Sequence, residues 1–430
     1  MGRTLTLPWK HALSRCLVAL ALAVFAAAPA AAAAVGCSVD DRPGATLLLP
    51  YFEVDLTHAD GPTTLFSVSN ASATAVLTNV VLWTDLGVPT FTFPVYLTGY
   101  DVQTFNLRDL FAGSVAKTAT AGQDPSDTIS PKGIFSQDIP FASCAGFLPP
   151  ADLTPAVRDH LRAAHTGQSS AIWGACGGQS KGDGIARGYV TVDTVSRCTN
   201  LVPGDPGYFG PGGVATSQNV LWGDFFYVDP AKVYADGENL IRLKADPAFF
   251  AGKRTFYGRY VNGSGADGRQ PLAPDWAARF LASGAFTEGT DLIVWRDSGM
   301  VTKPFPCGLK PSWYPLIMSS YVAFDEDENP AIPPTFPVSL RFSGEKAQPP
   351  QPLADQLPAE ANRFQVGREN FPVPYDFGWI FLYFGGYFGE PFNPLQGWVG
   401  TVMKAGGRFS VGFGATPLST GCAPDPEILP

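Results

Sequence analysis

The chain is poor in histidine. Four occur in 430 residues; His11 lies in the leader discussed below, so His58, His160 and His165 are all that remain for imidazole chemistry. His160 and His165 sit five apart on a helical stretch, not at the i, i+4 spacing of a zinc-protease helix, and no glutamate lies between them. A solvated helix face is the preferred reading of that pair, and transition-metal catalysis is disfavoured. Charge is scarce too, at 16% of residues, and bases are outnumbered, 29 Lys and Arg against 38 Asp and Glu. An acidic chain without basic clusters repels phosphate backbones, which disfavours nucleic acid and anionic membranes as partners. No Cys-x-x-Cys pair exists, so thioredoxin-type redox sites and zinc ribbons are absent. After the leader no stretch approaches the ~20 apolar residues that a membrane-spanning helix needs.

Glycine and proline are abundant instead, at 46 and 40 residues. That density of backbone punctuation rules out long helices and coiled coils, while 45% apolar and 13% aromatic residues supply a large core. Residues 1–34 read as a signal peptide: Arg3, Lys10 and Arg15 precede the apolar run Leu17 to Ala28, and Ala32-Ala33-Ala34 offers a cleavage site before Val35. Cleavage removes three bases and no acid, moving the formal charge from −9 to −12. The expected location is periplasmic, secreted or cell-surface. Ala34-Val35-Gly36-Cys37 is also a poor lipoprotein box, disfavoured because Ala replaces the usual Leu and lipidation of Cys37 would leave an odd cysteine. Cys16 goes with the leader, and Cys37, Cys144, Cys176, Cys198, Cys307 and Cys422 remain as candidates for three disulfides. Six cysteines allow 15 pairings; Cys144–Cys176, closing a loop around the helical segment, is the preferred one.

Short runs rich in Val, Thr and Phe, broken by Asn, Gly and Pro, mark strands at 64–69, 75–83, 89–97, 101–107 and 186–195. Nothing there alternates strand with helix as a parallel α/β domain would. The good helical candidate is Leu153 to Ala164, with Asp152 or Thr154 as cap and Pro155 in the first turn. Pro203 to Gly213 is the best internal boundary. Beyond it come ordered stretches at 219–228, 254–261 and 291–296, a short helix at Pro274 to Ala282, a strand at Phe377 to Phe384, and a hairpin from Trp398 to Phe413. The fold class expected is mainly β: two antiparallel β-sandwich (Ig-like) domains with one or two short helices in insertions. Residues 35–202 form the first, interrupted at about 113–185 by a disulfide-pinned insertion, and 203–430 the second. A weak echo links Val81-Leu82-Trp83-Thr84-Asp85, Val220-Leu221-Trp222-Gly223-Asp224 and Ile293-Val294-Trp295-Arg296-Asp297. Its unequal spacing excludes a regular solenoid or propeller. A recurrent strand end, with Trp in the core and Asp opening the turn, is favoured over a duplicated sandwich.

Candidate chemistry is sparse. Gly178-Gln179-Ser180-Lys181-Gly182 matches the nucleophile-elbow pattern, but Gly-rich sequence surrounds Ser180, a strand follows it, and every remaining His precedes it, against the usual Ser, acid, His order. The run Asp325, Glu326, Asp327 and Glu328 offers oxygen ligands to calcium, the only cofactor considered; it lacks the spacing and central Gly of an EF-hand, so a solvated loop is preferred. Phe377, Trp379, Phe381 and Tyr383 alternate and share one strand face. They offer a stacking platform for sugar rings, but Ile380, Leu382 and Phe384 make the other face apolar too, so a strand buried on both sides is the preferred reading. The two-carboxylate machinery of a glycoside hydrolase depends on a distance across a cleft, which composition does not reveal.

Leu47-Leu48-Leu49-Pro50-Tyr51-Phe52-Glu53-Val54, Leu65-Phe66-Ser67-Val68-Ser69-Asn70, Thr290 to Asp297 and Gly407-Arg408-Phe409-Ser410-Val411-Gly412-Phe413 resemble stretches of a group of uncharacterised exported bacterial proteins. The layout of residues 65–87 is similar to sandwich modules of bacterial surface proteins. The resemblance implies location and fold and carries no activity. The expectation is a secreted or cell-surface β-sandwich protein, acting as a binding or structural component toward a cell-surface or glycan ligand, and more readily a non-enzyme. The alternative is an extracellular carbohydrate-binding module or two-carboxylate glycoside hydrolase.

Overall fold

In a computed structural model, which describes residues 42–117, 144–148, 150–282, 289–318, 320–331, 356–367, 373–384, 395–404 and 410–418, antiparallel strands dominate. The leader, Cys37 and Cys422 lie outside the described residues. In chain order come β1 (Thr46–Asp55), β2 (Thr63–Asn70), β3 (Val76–Thr84), β4 (Pro89–Leu97), β5 (Val102–Asn106), α1 (Leu107–Ala112), α2 (Pro155–His165), β6 (Ile185–Val195), β7 (Leu221–Asp229), β8 (Tyr234–Asn239) and β9 (Ile241–Leu243). There follow β10 (Asp275–Leu281), β11 (Gly289–Arg296), β12 (Leu316–Ile317), β13 (Ser320–Phe324), β14 (Pro330–Ala331), β15 (Gln356–Leu357), β16 (Ala361–Gln365), β17 (Phe377–Tyr383), β18 (Gly397–Lys404), β19 (Ser410–Gly414) and β20 (Thr416–Pro417).

The strands make open sheets in the orders β4-β3-β6-β1-β9, β5-β2-β7-β8, β16-β11-β18-β19 and β14-β13-β17-β10-β20, with a small β12-β15 pair, and no barrel closes. Residues 46–243 supply the first two sheets, and residues 275–417 supply the next two and the small β12-β15 pair. The Pro- and Gly-rich stretch 203–213 lies between β6 and β7, both of which pair with earlier strands. Central strands read as continuous apolar or β-branched runs because both faces are covered: all nine residues of β3 are buried. β1 shifts register between Leu49 and Phe52, where Pro50 has no N–H to give the ladder. One apolar cluster runs from Leu47 through Trp83 and Trp295 to Val402.

The segment 244–274 is bolted through this core by polar groups. Asp193 accepts hydroxyl protons from Tyr208 and Tyr257 at 2.7 and 2.9 Å, and Arg269 donates to Thr46 Oγ1 and to the Thr216 carbonyl.

Several expectations change. Pro274 to Ala282 is strand β10 rather than a helix: Trp276, Ala278 and Phe280 are buried while Asp275, Ala277 and Arg279 are more exposed, a period of two. Residues 254–261 form turns and one 3-10 turn, Gly258–Tyr260, in place of extended structure. Asn106 ends β5 and caps α1, its side chain accepting from the Arg108 amide. Helix α2 starts at Thr154 and Pro155, but its histidines are buried, not solvated: His160 is 5% and His165 1% exposed. The disulfides are Cys144–Cys198 and Cys176–Cys307, which replace the expected Cys144–Cys176 pair. The backbone explains the exchange. Cys176 and Phe305 trade amide hydrogen bonds of 2.9 Å, carrying one loop to Cys307, while Cys144 packs with Leu77, Tyr96 and Cys198 in a satellite cluster.

Candidate functional site

The aromatic run falls on β17, between β13 and β10. Alternation sends Ile380, Leu382 and Phe384 inward, each 0% exposed. Phe377 is 40% exposed and Trp379, Phe381 and Tyr383 are half-buried on the outer face. The outer face therefore carries four rings that the core does not fully absorb. β13 sets Phe324 opposite Trp379, and the two rings stack with centroids 4.1 Å and planes 9° apart. Gly378 permits this approach, because a Cβ there would stand 1.9 Å from the Phe324 carbonyl oxygen. On the other side, β10 places Arg279 opposite Trp379, Ala277 opposite Phe381 and Asp275 opposite Tyr383. Burial first, and then the Asp275 charge, raise the Tyr383 phenol above its ordinary range, so it stays a neutral donor and acceptor.

This arrangement offers CH-rich ligands a ring surface, with a guanidinium, a carboxylate and a phenol along one edge. Phe324 occupies one face of Trp379, and on the β10 side Arg279 lies opposite it, with the small Ala277 opposite Phe381. The sequence showed the alternation on β17; Phe324, Arg279 and Asp275 join it only through sheet pairing.

The other candidates disperse. Ser180 is exposed in the loop before β6. His160 Nδ1 instead faces Ser170 Oγ in the interior beside Trp173. Asp325 to Glu328 form the turn between β13 and β14, where the Asp325 carboxylate accepts from the Asp327 and Asn329 amides and the Asn329 side chain. Those bonds hold its acid below the ordinary range. Among the described residues no three His, Cys, Asp or Glu side chains are gathered as a metal site.

Elsewhere among the described residues, pairs of carboxylates clasp an arginine. Glu360 and Asp297 share Arg259, with Tyr189 donating to Glu360 at 2.8 Å. Glu53 and Asp291 share Arg363, at 2.5 and 2.7 Å. Glu360 is 0% exposed, and the recess nearby, lined by Trp83, Tyr189, Arg259 and Trp295, holds about 10 Å³, at the lower limit for one water. Comparison with protein families, with curated proteins and with solved structures finds no match for this chain. No helix among the described residues is long and apolar enough to cross a membrane.

Proposed function

We propose that this chain is an exported binding protein built of antiparallel β-sandwich modules, and that it takes a carbohydrate on the outer face of the β13-β17-β10 sheet. One observation carries the reading: Phe377, Trp379, Phe381 and Tyr383 stay partly exposed while the inner face of the same strand already supplies the buried apolar side that the fold requires. A row of rings flanked by Arg279 and Asp275 suits a chain of sugar rings, whose CH faces stack and whose hydroxyls pair with charged donors and acceptors. Export is supported by the leader pattern and by two formed disulfides.

A hydrolase is less favoured, because the carboxylates brought together among the described residues are neutralised by arginine rather than facing a water across a cleft. Sedimentation with insoluble cellulose, chitin and starch tests the reading. Binding to at least one is expected, with Trp379→Ala weakening it at least about tenfold and leaving the circular dichroism unchanged. Full retention by Trp379→Ala, or no binding by the wild type, rejects this face as the site.

A further inference from the structure

Two sets of six strands follow the same path. In the first, β2 leads to β3 in the facing sheet, β4 joins β3, β5 returns beside β2, β6 takes the free side of β3, and β7 takes the free side of β2. In the second, β10 leads to β11, β16 joins β11, β17 returns beside β10, β18 takes the free side of β11, and β20 takes the free side of β10. Outside the two sets, β1 precedes the first and β8 and β9 lie between them, each adding to an edge of the first pair of sheets; the other elements enter as insertions, α1 and α2 between β5 and β6, β12 to β15 between β11 and β16, and β19 between β18 and β20.

Register agrees along the β3–β6 and β11–β18 ladders. Leu82, Trp83 and Thr84 face Val190, Tyr189 and Gly188. Val294, Trp295 and Arg296 face Val399, Trp398 and Gly397. Each Trp is followed two positions later by an acid, Asp85 or Asp297, and each facing glycine lies where a Cβ would be crowded: at Gly188 by the Trp83 carbonyl oxygen at 2.0 Å and then the Phe52 ring at 3.0 Å, at Gly397 by the Phe384 ring at 2.5 Å and then the Trp295 carbonyl oxygen at 2.9 Å. A shared strand order alone arises from general packing preferences. A shared register on the Trp ladder, with a glycine at the same position crowded in both copies by a ring and by the Trp carbonyl, does not.

We propose that residues 63–229 and 275–417 are two copies of one two-sheet unit. Their matching tryptophans meet at Tyr189, which stacks on Trp83 at 5.7 Å and meets Trp295 edge-on at 5.8 Å. This inference also deepens the carbohydrate reading and, in that part, rests on it. β17 is the counterpart of β5, whose side chains of the matching outward parity are Val102, Thr104 and Asn106. The unit folds with those small or polar groups on that strand, so the row of rings belongs to what the second copy binds rather than to what the unit needs.

The test uses the full chain carrying Trp379→Thr together with Phe381→Asn, the residue types of β5. Folded secreted protein, a melting shift under about 5 °C and loss of polysaccharide sedimentation are expected. Failure of this variant to fold overturns the equivalence of β17 and β5. A folded variant, with a wild type that binds no polysaccharide, leaves the duplication standing and rejects the ligand. An experimental structure gives the independent check: superposing the two six-strand sets must bring Trp83 onto Trp295 and Gly188 onto Gly397, and any offset in register overturns the duplication.

Discussion

Asp85 is a carboxylic acid in the interior, 3% exposed. Burial pushes its acid up from 3.8 to about 6, against the opposing pull of the Gln179 amide and Lys181. The fold therefore favours the protonated form. Its contribution is complete below about pH 4, where folded and unfolded chains both hold the proton, and is lost as pH rises through 6. About two pKa units at 1.36 kcal/mol each make the loss roughly 3 kcal/mol at neutral pH. Asp85→Asn keeps the size of the side chain and an oxygen to accept from the Gln179 amide, now 3.1 Å away. The variant is expected to exceed the wild type by about 3 kcal/mol at pH 7 and by less than about 1 kcal/mol at pH 4.

His165 slopes the other way. Burial lowers its imidazole to about 4; Nδ1 donates to the Arg187 carbonyl, Nε2 lies 2.9 Å from the Thr90 hydroxyl, and Phe52 and Phe111 cover the ring. A folded pKa depressed in a base gives stability that is full above 6.5 and lost as pH falls toward 4, again roughly 3 kcal/mol. Between pH 4 and 6 the two groups offset each other in the wild type. Asp85→Asn removes the opposing Asp85 slope and leaves that of His165 in place. Urea midpoints measured in half-unit steps from pH 4 to 8 should show the variant's advantage shrinking on acidification while its own stability falls. A difference constant across that range would refute the buried-acid argument.

Arg108 donates to the carbonyls of Asp55, His58, Gly61 and Pro62 at 2.7–3.1 Å; Arg108→Ala should cost about 3 kcal/mol and open the 55–62 loop to protease, with Lys restoring only part. Glu360→Ala leaves the Arg259 guanidinium buried with one carboxylate fewer and should cost about 3–5 kcal/mol in urea unfolding. The double change Arg259→Met with Glu360→Leu should recover most of that, and strictly additive losses would rule the coupling out. Non-reducing peptide mapping should return Cys144 linked to Cys198 and Cys176 linked to Cys307; a Cys144–Cys176 peptide would contradict the pairing. Cys307→Ser should lower stability by about 2–5 kcal/mol.

Strand positions are set locally, which is why β3, β4 and β6 can be read from runs rich in β-branched and aromatic residues and from the turn residues that bound them, within a residue or two. β10 is the instructive failure. Pro274 and the Ala277, Ala278 pair suit a helix start, and only pairing with β17 and β20 makes the segment extended, so the neighbouring strands override propensity. The site has the same limit. Four alternating rings are visible in the sequence, but their exposure and the Phe324 stack depend on strands distant in the chain. Asp85 reads as a turn opener, and what raises its acid is burial beneath a loop that brings in Gln179, 94 positions away. The tryptophan echo shows most plainly where sequence stops. Three similar peptides carry it, yet Trp83 and Trp295 are buried while Trp222 faces Ser69 on β2 and lies half-exposed under Arg242. The residue across the ladder separates them too: the position after Trp83 and the position after Trp295 each oppose a glycine, Gly188 and Gly397, whereas Gly223 opposes Val68. A repeat that is ambiguous along one strand becomes specific when the register of two is known.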